Sequence, residues 1–446
     1  MFKLKEHGTN VRREIVAGVT TFATMGYIIV VNPGVLQNAF EKVDQPAAFG
    51  AIMMATCIAS AVATLLMGLW ANYPIALAPA MGTNAFFAYT VCGAAAAGGM
   101  GIPWQQALCA VAISGTLFII VSSIRLREHV VRAVPNGLRH AIAAGIGLMI
   151  ALLGFEWAGL VVNHPVTLVT LGSLKNETAL IALGGLTLTV ILLVLRVKGA
   201  ILLGIILTAL VGYWRGAPSL GQTADASEIV GIPDISTTFL QLRLPAFDWA
   251  VWSKFLVVIF VFFFLDLFDT VGTLIGVSER GGLMKEGELP RAKQAFLSDA
   301  VATVVGAGLG TSTVTSYVES SAGIAAGGRT GLANVVTAGL FVVAIFFYPL
   351  VSTVSQVAVA PALIVVGAFM IVSLKHINWD DLTEAIPCFL TITMMAFAFS
   401  ITEGISFGFI SYCVVKLVTG RGREVSPVIY VLSVLFVIFY VFHPAM

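Results

Sequence analysis

The sequence predicts an all-α polytopic membrane protein of fourteen transmembrane segments, laid out as two halves of seven in opposite orientation, a 7+7 inverted repeat. Composition, the spacing of apolar runs and the sidedness of basic residues carry the fourteen crossings, and a short internal match together with a family resemblance, both given below, points to the repeat. The 446 residues are 58% hydrophobic and 11% charged, against about 25% charged in an ordinary soluble domain. A chain this apolar cannot hide its side chains in a water-soluble core, because much of any globule is surface. Its solvent must be lipid. A formal net charge of +1 leaves no basic field that would call for nucleic acid. Cys57, Cys92, Cys109, Cys388 and Cys413 stand singly in apolar runs and read as small core hydrophobes, without metal or disulfide spacing. The first apolar run lacks the small-residue cleavage site of a signal peptide.

Crossing the hydrocarbon takes about 20 apolar residues of helix. The runs of that texture are 14–37, 47–70, 104–124, 134–153, 178–196 and 198–214, then 251–278, 292–310, 329–352, 359–374, 381–399 and 402–419. Two more segments, near 76–92 and 309–325, bring the count to fourteen. The stretch 427–443 is at the short end for a span and would lie in the interface or against the bundle. An even count puts both termini on one side. With that side cytoplasmic, the inner loops hold 19 basic residues, among them Arg125, Arg127, Arg132, Arg139, Lys285, Arg329, Lys416 and Arg421. The outer loops hold 5: Lys42, Lys175, Arg215, Arg243 and Lys254. Such a bias is what orientation by inside-positive loops requires, and removing either extra segment spoils it. The expected location is therefore the inner or plasma membrane, with both termini cytoplasmic.

The two extra segments have unusual texture. Residues 76–87 read Ala-Leu-Ala-Pro-Ala-Met-Gly-Thr-Asn-Ala-Phe-Phe, and residues 310–324 are a run of Thr and Ser followed by a short helical stretch. Non-helical backbone at membrane depth leaves N–H and C=O groups without water, and survives only against protein or a wet cavity. A short internal match links the halves: Phe22-Ala-Thr-Met-Gly-Tyr-Ile-Ile29 in the first span with Phe268-Asp-Thr-Val-Gly-Thr-Leu-Ile275 in the eighth. Broken spans at corresponding places of two inverted halves point to a binding site at the midplane. Re-entrant packing elements without a ligand would give the same texture.

Acids sit in the apolar centre. Asp266 and Asp269 share one helix face in Phe-Phe-Phe-Leu-Asp-Leu-Phe-Asp-Thr, and Glu319 lies in the second broken segment. No Lys or Arg accompanies them, so they must face the bundle interior or a cavity. All three are candidates for proton coupling. The other reading, open above all for Asp269, is a structural carboxyl bonded to hydroxyls and backbone N–H groups. A flat, neutral heterocycle suits such a site, since its N–H groups donate where carboxylates accept. Asn84 offers a donor and an acceptor to a ring edge. Phe86 or Phe87 would stack on the ring, or simply pack. Thr24 and Thr270, at matching repeat positions, would line the cavity or bond back to their own helices. The histidines (His7, His129, His140, His164, His376, His443) fall at span ends or in loops, away from the acids.

These residues resemble the nucleobase–cation symporters of the xanthine/uracil permease type, and within them the azaguanine-permease-like branch for hypoxanthine, guanine and adenine. The likeness runs from about Gly8 to Gly422. It is carried by Ala78-Pro-Ala-Met-Gly-Thr-Asn84-Ala-Phe-Phe-Ala-Tyr, Leu267-Phe-Asp-Thr-Val-Gly-Thr-Leu274, Tyr317-Val-Glu-Ser-Ser-Ala-Gly-Ile-Ala-Ala-Gly-Gly-Arg-Thr-Gly331, Asn378-Trp-Asp-Asp-Leu-Thr-Glu384 and Phe399-Ser-Ile-Thr-Glu-Gly404. Thr83 stands where many relatives carry Leu. The resemblance implies a core domain of spans 1–4 and 8–11 (residues 1–125 and 251–355). It implies a gate domain of spans 5–7 and 12–14 (126–215 and 356–446), with a linker at 216–250. Short antiparallel strands in spans 3 and 10 would meet at the substrate. The resemblance also implies a homodimer through the gate domains and an elevator-like alternation. It makes Glu319, Asp266, Asn84 and Ser320 substrate-site residues, with Asp269 as an additional acid of the branch. The implied partners are a purine nucleobase, a proton (less readily sodium) and membrane lipid. No cofactor or metal is implied.

Three other functions fit parts of this pattern. An anion transporter of the sulfate-permease type shares this architecture, but Asp266 and Glu319 would repel an anion. A nucleobase facilitator without ion coupling differs only in its response to the proton gradient. An intramembrane aspartyl protease needs two aspartates on different helices, whereas Asp266 and Asp269 share one, so no enzyme is expected.

Overall fold

The computed structural model describes residues 2–40, 45–94, 99–123, 134–220, 229–284 and 289–442. Lys42, Arg125, Arg127, His129, Arg132, Lys285 and His443, named above, lie outside the described residues, as does 221–228 of the linker.

The first span is two helices, α1 (Val11–Met25) and α2 (Ile28–Leu36), with a break at Gly26–Tyr27. Asn10 starts α1 by accepting the Arg13 N–H at 3.0 Å, the usual remedy for unpaired donors at a helix start. Next come α3 (Gln45–Leu66), the strand β1 (Leu77–Pro79), α4 (Met81–Ala85) running on through a wide turn at Phe86–Val91, and α5 (Trp104–Ser123). Helix α6 (Asn136–Trp157) leads to a hairpin of β2 (Val161–His164) and β3 (Leu168–Leu171), then to α7 (Glu177–Val194) and α8 (Ala200–Trp214). The second half opens with α9 (Trp249–Arg280), α10 (Ala292–Leu309), β4 (Val314–Ser316) and α11 (Ser320–Ala325). It continues with α12 (Leu332–Ile345), α13 (Tyr348–Ser352), α14 (Gln356–Ile371), α15 (Leu382–Phe397), α16 (Ile401–Val418) and α17 (Pro427–Phe442). Among the described residues, eight helices are long and apolar enough to cross a membrane, and four more are apolar but shorter.

The helices pack as two groups. In one, α10 lies on α5 and α3, α12 on α3 and α1, α9 on α5, and the short α11 on α1. In the other, α6 packs on α14 and α15, α15 on α16, α7 on α8, and α17 along α16. Helices α6 and α14 approach closely at Gly147 and Gly367. A Cβ on Gly367 would stand 2.4 Å from the Gly147 carbonyl. Small residues at a crossing are how helices gain contact in lipid, where burial from water supplies no force.

Between the halves, β1 and β4 pair antiparallel with Leu77 opposite Ser316, Ala78 opposite Thr315 and Pro79 opposite Val314. Their outer edges would be open, which lipid does not allow. A threonine closes each. Thr64 of α3 accepts the Leu77 N–H and donates to the Leu77 carbonyl, both at 3.0 Å. Thr303 of α10 does the same for Val314, at 3.2 and 3.1 Å. Gly310 takes a left-handed φ of +103° to turn the chain from α10 towards β4, with Thr238 so close that a Cβ would clash.

Candidate functional site

The polar residues at the centre sort into a sealed layer and an open one. Asp266, 1% exposed, competes with the Val314 carbonyl for the single Thr303 hydroxyl proton, at 2.9 Å, and its other carboxylate oxygen has no partner among the described residues. One turn along α9, the Thr270 hydroxyl donates to Asp299 of α10 at 2.5 Å and lies 3.0 Å from the Thr315 hydroxyl. Asp299 also accepts the Ser316 N–H at 3.0 Å. The outer side of β4 is thus held at all three residues by Thr303, Thr270 and Asp299.

Asn84 is in the same sealed layer. Its amide nitrogen donates to the Asn32 side chain, and its oxygen accepts from Ser312. Asn32 in turn donates to Thr56 at 2.6 Å and to Thr311 at 3.0 Å. Both ends of the Asn84 amide are therefore occupied by neighbours in this state, and it ties the two broken segments together. Phe86 and Phe87 are also buried, with ring centroids 5.0 and 6.3 Å from that of Phe262. This is packing within the core, not a ring face offered to a ligand.

The open layer consists of Glu319 and Asp269. The Tyr27 hydroxyl, from the break between α1 and α2, donates to Glu319 Oε1 at 2.8 Å. The second carboxylate oxygen takes no side-chain hydrogen bond from another described residue, and Glu319 is half-buried. Thr24 bonds back to Thr20 and Thr21, and its hydroxyl also lies 3.4 Å from the Glu319 carbonyl. Ser320 accepts the Ala76 N–H at 3.0 Å, and the Tyr317 hydroxyl donates to the Pro79 carbonyl at 2.5 Å. Together these bonds fix α11 to the start and end of β1. Asp269 has no hydrogen-bond partner among the described residues. It is exposed and lies within electrostatic reach of Glu319. Gly272, Ile275 and Glu279 continue its exposed face along α9 towards the Arg280 end. Asp266 and Glu319 share no hydrogen bond: Asp266 bonds Thr303, which also bonds β4, and Glu319 bonds Tyr27. A groove of about 370 Å³ between α7 and α8, lined by Leu180, Ile181, Leu207 and Val211 with Glu177 and Arg215, holds none of these acids.

Sequence reasoning passed over Asp299, Asn32, Tyr27 and Glu14. Glu14 is fully buried in α1 and accepts the N–H groups of Arg329, Thr330 and Ala333, which start α12, at 2.9 to 3.4 Å. Asp299 was open to the argument that found Asp266, an acid inside an apolar run. Tyr27 lay inside the quoted repeat, but nothing in its residue type pointed to Glu319.

The sequence profile of the Permease family, the xanthine/uracil permeases, matches residues 12–407. The chain is 44% identical over 441 residues to the guanine/hypoxanthine permease PbuO of Bacillus subtilis, covering 98% of this chain and 99% of that one. It is 43% identical over 447 residues to the adenine permease AdeP of Escherichia coli, covering 99% and 95%. Among solved structures, the transmembrane domain of a cyanobacterium bicarbonate transporter, BicA, aligns with a TM-score of 0.62 at 15% identity, covering 88% of this chain and 97% of that one. At that identity the likeness concerns the fold alone.

Proposed function

The chain belongs to the xanthine/uracil permease family, and from that premise we propose that it imports purine nucleobases (hypoxanthine, guanine or adenine) by proton symport across the cell membrane. The observation that carries this is Glu319 and Asp269 together: two acids beside the broken crossings, neither fully sealed by protein, with no cation bonded to either among the described residues. A neutral ring donating N–H groups fits such a pair. An anion does not, because two carboxylates without a nearby arginine repel it. The purine permeases named above support the same substrate class.

In this reading Glu319 receives the ring, and Asp269 shares its opening. Asp266 and Asp299 form the sealed reserve behind β4, and a proton held there would couple to the site through Thr303, Thr270 and the strand itself. Thr24 and Ser320 set the backbone around Glu319. Asn84 acts by holding the strands, and Phe86 and Phe87 by packing beneath them. The helix group containing α1–α5 and α9–α12 would be the core domain, and the group of α6–α8 and α14–α17 the gate. The paired threonines Thr64 and Thr303 support an inverted repeat, and the reading takes it as seven crossings in each half with both termini cytoplasmic. Elevator-like movement of core against gate, and dimers through the gate, follow from the same reading.

Uptake of labelled hypoxanthine, guanine and adenine into proteoliposomes, with and without an imposed proton gradient, tests it. Concentrative uptake that collapses with an uncoupler is expected. Uptake indifferent to the uncoupler would make the protein a facilitator, and bicarbonate or sulfate flux without purine uptake would remove the reading.

A further inference from the structure

We infer that Tyr27 evens the site's preference between guanine and hypoxanthine, by taking one oxygen of the Glu319 carboxylate and leaving only the other for the ring. The inference rests on the purine reading above and adds to it a residue and a rule of selection.

The break at Gly26–Tyr27 places this tyrosine. Its ring is 2% exposed, and its hydroxyl donates to Glu319 Oε1 at 2.8 Å across a sequence separation of 292 residues. From the same helix end, Thr24 reaches the Glu319 carbonyl at 3.4 Å. The first half of the chain thus holds both the backbone and the side chain of this residue. Helix α11 cannot draw away from α1 without losing these bonds, because Gly323 packs so tightly that a Cβ would overlap the Thr21 hydroxyl.

A free carboxylate accepts two parallel N–H bonds from a fork-shaped donor. Guanine presents such a fork on one edge, its ring N1–H beside its exocyclic amino group. Hypoxanthine has the N1–H and no amino group. With Oε1 already bonded, the fork has no advantage at this carboxylate, and the two bases meet the same one oxygen of Glu319. Tyr27 therefore levels the site between guanine and hypoxanthine. Removing its hydroxyl returns Oε1 to the pocket, where guanine can use it and hypoxanthine cannot.

The test is Tyr27→Phe, which keeps the ring and deletes the donor. KM and Vmax are measured for guanine and for hypoxanthine in proteoliposomes, with the thermal unfolding midpoint of each purified protein. The ratio of the two KM values should move towards guanine by about ten-fold, the order expected for one hydrogen bond to a charged group, while the unfolding midpoint stays within a few degrees. A ratio unchanged within two-fold overturns the inference. So does a loss of Vmax that is equal for both bases and accompanies a fallen midpoint, since that is what a merely structural role produces. If the parent protein takes up neither base, it is the purine reading that has failed, and the inference falls with it.

Discussion

Charged side chains are kept in two opposite ways in this molecule. At the centre, Asp266, Asp269, Asp299 and Glu319 have no basic partner among the described residues, and hydroxyls and backbone N–H groups are all that hold three of them there. At the rim formed by the start of α15 and the end of α16, Asp381 and Glu424 each have one. Arg421 bonds Asp381 at 2.7 Å and Glu424 at 2.9 Å, and Lys416, 0% exposed, reaches Glu424 at 2.8 Å. A lysine or arginine at the centre would have stabilised the acids and fixed their charge. Its absence leaves them free to change protonation or to accept from a ligand. The rim spends its charges on holding chain ends together; the centre keeps them available.

The largest expected effect breaks the comparison if it fails. Glu319→Gln keeps shape and removes the charge. It should cut purine kcat/KM by at least about a hundred-fold, more than one lost hydrogen bond would, because charge, acceptor and proton site go together. Its thermal unfolding midpoint should be unchanged or raised, since relieving an unpaired buried charge costs the fold nothing. An equal fall in uptake and in unfolding temperature would mean that Glu319 is structural, like the acids of the rim.

The two strand edges sharpen the contrast inside the core. Thr64→Val and Thr303→Val each leave one strand's N–H and C=O without a partner, at about 1–3 kcal/mol. Their stability losses should be similar. Only Thr303 also bonds Asp266, so Thr303→Val alone should shift the dependence of uptake on the proton gradient. Matched uptake profiles for the two variants would separate Asp266 from coupling.

At the rim, the order of effects should reverse a naive count of bonds. Glu424→Gln strands the buried Lys416 without its carboxylate, whereas Lys416→Met removes the charge and the need for it together. Breaking one partner of a buried pair is worse than replacing it with an apolar group. Glu424→Gln should therefore lower the unfolding midpoint by several degrees, and Lys416→Met by less, with uptake by the folded fraction unchanged in both.

Much of this arrangement was legible in the sequence. The apolar runs match the helices closely, and the textures of 76–92 and 309–325 become β1 with α4 and β4 with α11. Burial of acids in apolar runs is a strong signal, because a lone carboxylate in lipid is so costly. The misses have a physical cause in common. Asn32 and Thr56 are neutral, so their presence in a span costs little and raises no alarm. Asp299 follows Lys293, Gln294 and Ser298, which make its helix look like one with a wet end. Lys416 looks like an ordinary cytoplasmic lysine; only the fold-back of residues 422–424 buries it. Asn84 shows the converse: residue type and position suggested a ligand contact, and the structure gives both ends of its amide to neighbours.

The smallest predicted effect concerns pH at the rim. Arg421 and Lys416 hold the Glu424 carboxyl down at about 2, and the Thr383 hydroxyl and the Arg421 guanidinium hold Asp381 well below the usual carboxylate range. Carboxyls lowered in the folded state add stability above their unfolded values, near 4. That contribution fades as pH falls through the folded values. Between pH 5.5 and 8 it is constant. The loss of unfolding temperature caused by Arg421→Gln should therefore be the same at both ends of that range, and it should be small, because these side chains are partly exposed to solvent. Over the same range the uptake of the parent protein should change with pH, since its central acids have no cation to fix their charge. A rim whose contribution varies between pH 5.5 and 8, beside an uptake that does not, would invert the assignment of the two regions.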